Sequence, residues 1–278
     1  MKTIIPTSHA FHLAKIMEKY DVNVVYPKIK TFPDGETYVR IPEEVRNQDV
    51  IVLCSDKNNP DKTLSELNGI AGGLKYSKAK SKKLFAAYMP YGRQDGKFKR
   101  GEPNRAKDIL QNLRKHYEKI WIVDYHSNHK WVDKLAERIS AFSLIKESIE
   151  NQYRDVVYIT PDEGAQKRIG IKGAKKKRYN ARKVDMEFSK DLEELVNGKN
   201  VVIGDDLVST GGTACRAYEE VKKLGARKVI SAETHGVLME GIKNIINTFD
   251  DYSLTDTINR KEANVYVHPL IAETIDVI

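Results

Sequence analysis

The sequence lacks the features of a membrane, disulfide-stabilised or zinc-binding protein. No apolar run approaches the roughly 20 residues that a helix needs to span a bilayer. Pro6 interrupts the N-terminus too early for a secretory signal peptide. The two cysteines, Cys54 and Cys215, lie far apart and form no metal-ligand spacing. These absences favour a reduced, cytoplasmic protein with no membrane partner.

The chain has an excess of positive charge. Its 47 Lys and Arg outnumber its 39 Asp and Glu, which gives a net charge of +8. The basic residues are concentrated at 75–83, 93–105 and 172–183. Such clusters suit nucleic acid, phosphorylated metabolites or a merely solvated surface. They become informative only if loops that bind phosphate accompany them.

Short β-branched runs alternate with helical patterns, which predicts an α/β fold with largely parallel sheets. The predicted strands are 22–26, 50–55, 84–89, 120–123, 156–160, 201–203, 229–232 and 264–267. Apolar residues at helical spacing predict one helix through 106–113 and another through 214–224, the second ended by Gly225. Segment 145–153 has the pattern of a connecting helix and turn. We therefore predict two similar domains, 1–145 and 146–278, each a mostly parallel sheet flanked by helices.

The strongest local signal is the segment VVIGDDLVSTGGT at 201–213. It predicts an apolar strand that ends in Asp205 and Asp206. A turn of small residues then opens a helix: Ser209, Thr210, Gly211, Gly212 and Thr213. Glycines let successive backbone N–H groups converge, and the helix N-terminus adds partial positive charge, so this turn suits a phosphate dianion.

The two carboxylates would repel a phosphate, so we expect them to serve sugar hydroxyls or a magnesium ion on the same ligand. The plainer interpretation is a helix-capping turn with two exposed aspartates. A P-loop is excluded because no Gly-Lys-Ser/Thr ending is present.

The turn resembles the ribose 5-phosphate loop of the type I phosphoribosyltransferase fold. Further motifs narrow the resemblance to the ribose-phosphate pyrophosphokinases, or PRPP synthetases. In the family's order they are 32–36 (FPDGE), 91–95 (YGRQD), 123–126 (VDYH), 161–164 (PDEG), 205–213 (DDLVSTGGT), 234–238 (THGVL) and 255–258 (TDTI). The resemblance covers essentially the whole chain. It implies two phosphoribosyltransferase-like domains and diphosphate transfer from ATP to the anomeric hydroxyl of ribose 5-phosphate, giving PRPP and AMP for nucleotide biosynthesis.

The resemblance also implies roles for residues of the first half. The implied ATP-binding residues are Phe32, Asp34, Glu36, Arg93, Gln94 and Asp95. The first three resemble a hairpin that reaches a neighbouring subunit's site, which implies a homo-oligomer, at least a dimer. The plain alternative for them is a β-turn built on Pro-Asp-Gly.

Asp124 and His126 resemble the residues of a Mg²⁺ site, with Mg²⁺ as the cofactor. On an extended chain, alternation would place their side chains on one side of the strand end. A purely structural aspartate–histidine pair is the alternative. His129 is treated as a bystander.

In the second half, the implied ligands of ribose 5-phosphate are Asp162, Asp205, Asp206 and the turn 209–213, with Asp162 also near the metal. Ala165 stands where many relatives carry a second glycine, and Ser209 where many carry an aspartate. Lys176 and Arg178 fit the family's catalytic lysine–arginine spacing. Lys175 with Lys177, or an ordinary solvated basic loop, are the alternatives.

Two other functions compete with the synthetase. One is a phosphoribosyltransferase that consumes PRPP, which would not need Arg93, Gln94, Asp124 or His126. The other is a non-catalytic relative that regulates or binds RNA. The presence of the acidic and cationic site residues argues against this second alternative and makes nucleic acid an unexpected partner.

Overall fold

The structure is a computed structural model that describes residues 2–42, 45–96, 99–161 and 190–277. Its internal contacts divide the chain into two compact units. The first comprises Met1–Ile139, Thr257–Asn259 and Val267–Ile278, and the second comprises Ser140–Asp256 and Arg260–Tyr266. The boundary between domains 1–145 and 146–278 stays a prediction, because units defined by contacts need not be the units that fold.

The elements of the first unit form an α/β layer with a small attached hairpin. Its strands are β1 (Lys2–Pro6), β2 (Val22–Val24), β3 (Lys28–Thr31), β4 (Thr37–Arg40), β5 (Asp49–Cys54), β6 (Ser81–Ala86), β7 (Lys119–Val123) and β8 (Glu137–Ile139). A short 3₁₀ turn at Ser8–Ala10 precedes helices α1 (Phe11–Met17), α2 (Pro60–Tyr76) and α3 (Arg105–Leu113). The main sheet has the order β2-β1-β5-β6-β7-β8, and each neighbouring pair is parallel.

The central strands of this sheet are buried because helices cover a parallel sheet on both faces. β5, for example, is the apolar run Asp49–Cys54, and it is buried from Val50 onward. Helix α3 buries Ala106, Ile109, Leu110 and Leu113, the residues whose spacing predicted it.

The hairpin β3–β4 rests on α2 through two glycines. A Cβ on Gly69 would lie 2.8 Å from Val39 Cγ2, and one on Gly73 would lie 2.5 Å from Ile41 Cγ1. Any larger residue would push the hairpin away, so these helix glycines allow its close approach.

The second unit contains a four-stranded sheet, again parallel throughout. In chain order its elements are α4 (Phe142–Glu150), β9 (Val156–Ile159), α5 (Lys190–Val196), β10 (Asn200–Val208), α6 (Gly212–Lys223), β11 (Lys228–Gly236), α7 (Met239–Thr248) and β12 (Asp251–Leu254). The strand order is β12-β11-β10-β9. Val201 and Ile203 pack in one core cluster with α6 and α7, whereas Val202 and Ile230 pack in another with α4.

The C-terminal helix α8 (His268–Thr274) belongs to the first unit. Lys2 Nζ donates to the carbonyl oxygens of Ile275 and Asp276. The Tyr20 hydroxyl and His268 Nδ1 share a hydrogen bond of 2.7 Å. These contacts join the end of the chain to its beginning.

The α/β class and the parallel sheets are confirmed, and most strands lie where the sequence predicted them. The strand predicted at 264–267 is wrong: only Val265 makes an isolated bridge, to Thr255. Gly225 follows α6 with φ +86°, as predicted for the residue that ends it. Within the described ranges, no helix is both long and apolar enough to cross a membrane.

Candidate active site

The phosphate turn of the second unit follows a longer strand than its sequence predicts. β10 continues to Val208, so Asp205 and Asp206 lie within the strand and not at its end. Pairing with β11 extends the strand: the parallel register runs on through Leu207 with His235 and Val208 with Gly236. The chain then turns at Ser209 and Thr210, and α6 begins at Gly212.

Gly211 supplies the backbone conformation that this turn needs. It has φ +78°, in the left-handed region that other residues adopt at a cost, and it precedes the first helical residue. A Cβ at this position would also lie 3.1 Å from the Gly241 carbonyl oxygen. The backbone conformation and the close approach of the Gly241 carbonyl oxygen therefore both favour glycine at this position.

Helix α7 supports the turn from behind. A Cβ on Gly241 would lie 2.0 Å from the Ser209 carbonyl oxygen, closer than any real contact. One turn further along, Asn244 Nδ2 donates to the Thr210 carbonyl oxygen at 2.9 Å. The backbone shape of the turn is therefore set by a helix that the sequence motif does not contain.

The other side of the turn is open. Thr210 and Thr213 are exposed, and among the described residues the nearest atom to a Cβ on Gly212 would be Arg216 Nη1, at 3.9 Å. An anion can therefore approach the first N–H groups of α6, with the guanidinium of Arg216 close by. Sequence reasoning missed Arg216, although its position four residues after Gly212 places both on one helix face.

The carboxylates of β10 differ in exposure. Asp206 is fully buried, whereas Asp205 is half-buried. Asp205 Oδ1 accepts a hydrogen bond of 2.9 Å from the backbone N–H of Asp206. Thus the two aspartates are not the freely exposed pair that the helix-capping alternative expects.

Sequence reasoning also missed a third carboxyl group beside them. Glu233 of β11 is the register partner of Asp205 and is 97% buried, being only 3% exposed. Burial, and next the neighbouring Asp205 carboxylate, raise the pKa of Glu233 well above its ordinary value. No local motif could reveal this pair, because the register between two strands brings it together.

Arg260 fixes the end of β11 next to the turn. Its Nε donates to the Gly236 carbonyl oxygen at 2.9 Å, and its Nη2 donates to that of Val237. The backbone N–H of Val237 in turn donates to the Val208 carbonyl oxygen at 3.0 Å. This buried arginine thereby stabilises the strand end from which the phosphate turn departs.

In the first unit, the candidate metal residues follow β7. The strand ends at Val123, and Asp124 takes a left-handed conformation with φ +35°. Its N–H donates to the Ile139 carbonyl oxygen at 2.8 Å, and the residue is buried. The extended alternation assumed for Asp124 and His126 is therefore wrong at Asp124, because the chain turns there.

The motif at 91–95 packs directly against this turn. A Cβ on Gly92 would lie 3.0 Å from Tyr125 Cε2 and 3.4 Å from His126 Cβ. Gly92 thus lets the backbone of the segment that carries Arg93 and Gln94 pack closely on the turn at 125–126, and both of these side chains are exposed. The structure joins two motifs that lie about thirty residues apart in the sequence.

Asp95 has a partner that the sequence did not suggest. His129 Nε2 lies 3.8 Å from Asp95 Oδ2, and the Asp95 carbonyl oxygen accepts from Asn104 Nδ2 at 2.6 Å. His129, treated as a bystander in the sequence, therefore faces the candidate ATP-binding segment.

Phe32, Asp34 and Glu36 form the tip of the hairpin β3–β4. Phe32 is 46% exposed and makes an edge-to-face contact with Tyr38 at 5.8 Å between ring centroids, so nearly half of its surface is open to solvent. The tip closes through hydrogen bonds from the Gly35 N–H to the Phe32 carbonyl oxygen and from the Glu36 N–H to Asp34 Oδ1. Asp34 therefore has a structural role in the turn as well.

The remaining predicted site residues, Asp162, Lys176 and Arg178, lie outside the described residues. In the part of the chain that the structure describes, no three His, Cys, Asp or Glu side chains are grouped closely enough to hold a metal ion. Asp124 nevertheless fits Mg²⁺, which usually takes one or two carboxylates and completes its shell with water and substrate phosphates. The softer imidazole of His126 fits it less well.

Comparison with known proteins agrees with both halves of the structure. Residues 1–116 match the family described as the N-terminal domain of ribose phosphate pyrophosphokinase. Residues 143–261 match the phosphoribosyl transferase domain. The parallel sheets and the turn at 209–213 therefore define a protein built from phosphoribosyltransferase-like domains.

Full-length relatives identify the family. The chain is 34% identical to the ribose-phosphate pyrophosphokinase of Pyrococcus furiosus, over 95% of this chain and 97% of the relative. It is 31% identical to that of Thermococcus kodakarensis, over 93% of this chain and 95% of the relative. A crystal structure of phosphoribosylpyrophosphate synthetase from Mycobacterium smegmatis superimposes with a TM-score of 0.82 at 26% identity, covering 99% of this chain and 98% of that one. The chain belongs to the ribose-phosphate pyrophosphokinase family.

Proposed function

We propose that this protein is an ATP:ribose-5-phosphate diphosphotransferase that makes PRPP and AMP. Similarity to ribose-phosphate pyrophosphokinases over nearly the whole chain carries the choice of a synthetase. The observation that carries ribose 5-phosphate as its substrate is the phosphate turn in the second unit. It combines an open helix N-terminus, a glycine in the left-handed conformation and two carboxylates on the strand before it. This combination suits a ligand that carries both a phosphate and hydroxyl groups.

On the ribose side, the turn binds the 5-phosphate through backbone N–H groups, with hydroxyls from Ser209, Thr210 and Thr213. Asp205 and Asp206 accept hydrogen bonds from the ribose hydroxyls. Asp162, which lies outside the described residues, would contribute to the same ligand and to the metal. Support for this arrangement comes from the open face of Gly212 and from the position of Arg216 beside it.

On the ATP side, Arg93 and Gln94 contact the triphosphate, and Asp95 contributes from the same segment. A guanidinium can pair two phosphate oxygens at once, which suits Arg93 to this role. Asp124 and His126 would hold Mg²⁺, and the ion would supply positive charge that neutralises the ATP phosphates. The packing of Gly92 against Tyr125 and His126 supports a common role for these two segments.

The chemistry requires no covalent enzyme intermediate. The anomeric hydroxyl oxygen attacks the β-phosphorus and forms a new O–P bond, while the bond between the α,β-bridging oxygen and the β-phosphorus breaks. AMP leaves with that oxygen, and the hydroxyl proton passes to solvent. Lys176 and Arg178 are proposed to neutralise the charge that develops on the transferred group, and loss of one such group typically costs about a hundredfold or more in rate.

Two further properties are part of the proposal. Phe32, Asp34 and Glu36 bind adenine in the site of a neighbouring subunit, so the protein is a homo-oligomer, at least a dimer. The exposed ring of Phe32 at a hairpin tip supports this role. The cytoplasm is the proposed location.

Incubation with ATP, Mg²⁺ and ribose 5-phosphate tests the activity. We expect AMP and PRPP in equal amounts, and an Asp124→Asn variant should lose about a hundredfold or more of the rate. Asp21→Asn, a change at an exposed aspartate of the same unit, is the matched control and should behave like the wild type.

The same assay separates the competing functions. PRPP consumption with a nucleobase, without PRPP formation, would identify a phosphoribosyltransferase instead. Salt-sensitive RNA binding without either activity would identify a non-catalytic relative. Both results would overturn the synthetase proposal.

A further inference from the structure

Glu233 occupies an unusual position for an acidic residue. It lies in the middle layer of the second unit, on β11, and only 3% of its surface is exposed. Its register partner on the neighbouring parallel strand is Asp205. Because paired strands lie about 4.8 Å apart and partner residues point to the same face, the two carboxyl groups are neighbours.

The two carboxyl oxygens of Glu233 have different surroundings. Oε1 accepts a hydrogen bond of 3.0 Å from Ser231 Oγ, two residues earlier on the same face. Oε2 is buried and has no hydrogen-bond partner among the described residues. Buried polar atoms almost always have such a partner, so Oε2 requires an explanation.

An ionised Glu233 would not account for the lack of a hydrogen-bond partner at Oε2 among the described residues. It would place another negative charge beside Asp205 and Asp206, next to the proposed phosphate turn, and no described residue forms an ion pair with Glu233. A protonated Oε2, by contrast, is a hydrogen-bond donor, and the carboxylate of the register partner Asp205 can accept from it. The raised pKa of Glu233 agrees with this protonation state.

We propose that Glu233 is a positioning residue that donates a hydrogen bond from Oε2 to the Asp205 carboxylate and so orients it toward the ribose hydroxyls. The Ser231 hydroxyl occupies Oε1, which leaves Oε2 as the donor. This inference rests on the proposed role of Asp205 as a ribose ligand. It assigns to Glu233 no contact with the substrate.

Two substitutions separate hydrogen bonding from packing. Glu233→Gln keeps the shape and a donor, because the amide nitrogen can take the place of Oε2. Glu233→Met keeps the length but removes every polar atom. Glu219→Gln, on the exposed face of α6, is the matched control. The Michaelis constants for ribose 5-phosphate and ATP, kcat and the thermal midpoint are measured for each variant.

We expect Glu233→Gln and Glu219→Gln to keep the Michaelis constant for ribose 5-phosphate within about twofold. Glu233→Met should raise that constant about tenfold or more, the loss typical of one hydrogen bond to a charged group. The Michaelis constant for ATP should stay unchanged, which a general packing defect would not predict. A change confined to the thermal midpoint, or equal impairment of the Gln and Met variants, would overturn the proposal.

Asp205→Asn separates the failure of this inference from failure of the site itself. If it leaves the Michaelis constant for ribose 5-phosphate unchanged, Asp205 is no ribose ligand, and the proposed roles of Asp205 and Glu233 are both wrong. If it raises that constant while Glu233→Met does not, the role of Asp205 is supported and only the proposed role of Glu233 is wrong. Asp205→Asn combined with Glu233→Met should be no worse than Asp205→Asn alone, since Glu233 acts through Asp205. Fully additive losses would contradict the proposal.

Discussion

At the scale of single residues, Ser209 is the position where the charge of the phosphate turn is decided. The side chain of Ser209 is a neutral hydroxyl. The residue is half-buried, and its carbonyl oxygen packs against α7. A carboxylate on its side chain would therefore lie near the bound phosphate dianion without full screening by water.

We predict that Ser209→Asp raises the Michaelis constant for ribose 5-phosphate about tenfold, which corresponds to about 1.4 kcal/mol of like-charge repulsion. Ser209→Asn, of the same size but neutral, is the control and should have a much smaller effect. Steady-state kinetics at fixed saturating ATP provide the measurement. An unchanged or lower Michaelis constant for Ser209→Asp would contradict this prediction.

The same scale shows which site residues a sequence can reveal. Gly211 and Gly225 were predicted correctly because a turn and a helix end are local events, and each residue has the positive φ that glycine adopts readily. Glu233 was not predicted, since its importance depends on the strand that lies beside it. The strand end at Val123 was predicted correctly, but Asp124 was expected to be extended and instead has φ +35°. The residues before it carry no local signal for this turn.

At the scale of elements, α7 and the phosphate turn depend on each other. Gly241 has no room for a side chain against Ser209, and Asn244 holds the Thr210 carbonyl oxygen. The motif 209–213 supplies the donors, but this helix determines where they point. A substitution on α7 should therefore alter the binding of ribose 5-phosphate, although no residue of α7 is proposed to contact this ligand.

We predict that Gly241→Ala lowers stability by about 1–3 kcal/mol, because the added methyl group overpacks a rigid contact. It should also weaken ribose 5-phosphate binding, since the backbone of Ser209 must move. Denaturant unfolding and calorimetric titration measure the two effects. Gly72→Ala is the control: it lies within α2, its Cβ would meet nothing within 4 Å, and it should be neutral or slightly stabilising. If the two variants have the same stability and the same affinity for ribose 5-phosphate, the predicted contact between Gly241 and the phosphate turn has no such effect and the prediction is wrong.

At the scale of the whole molecule, the proposed adenine-binding hairpin makes activity a property of the oligomer. Phe32 lies at an exposed tip that is seated on α2 through Gly69 and Gly73. If this tip completes the active site of the neighbouring subunit, a substitution at Phe32 damages the neighbour's site, whereas a substitution at Asp124 damages the site of its own subunit.

We predict that Phe32→Ala and Asp124→Asn are each nearly inactive. Purified mixed dimers of the two should regain about half of the wild-type activity, because one of their two active sites then has an intact Phe32 and an intact Asp124. Differently tagged subunits, co-expressed and purified for both tags, provide the sample. Oligomers that carry the two tags on Phe32→Ala subunits alone are the control. Mixed oligomers as inactive as either parent would show that the hairpin serves its own subunit.

The sequence by itself determined the α/β class, the parallel strands with their amphipathic helices, and the phosphate turn, because each depends on residues a few positions apart. It also carried enough motifs along the chain to indicate the family. Only the tertiary structure decided that β10 runs on to Val208, that Glu233 lies beside Asp205, and that Gly92 packs on His126. It likewise decided that α8 returns to the first unit. These features arise from strand register and close packing between distant segments, for which the local pattern of residues has no signal.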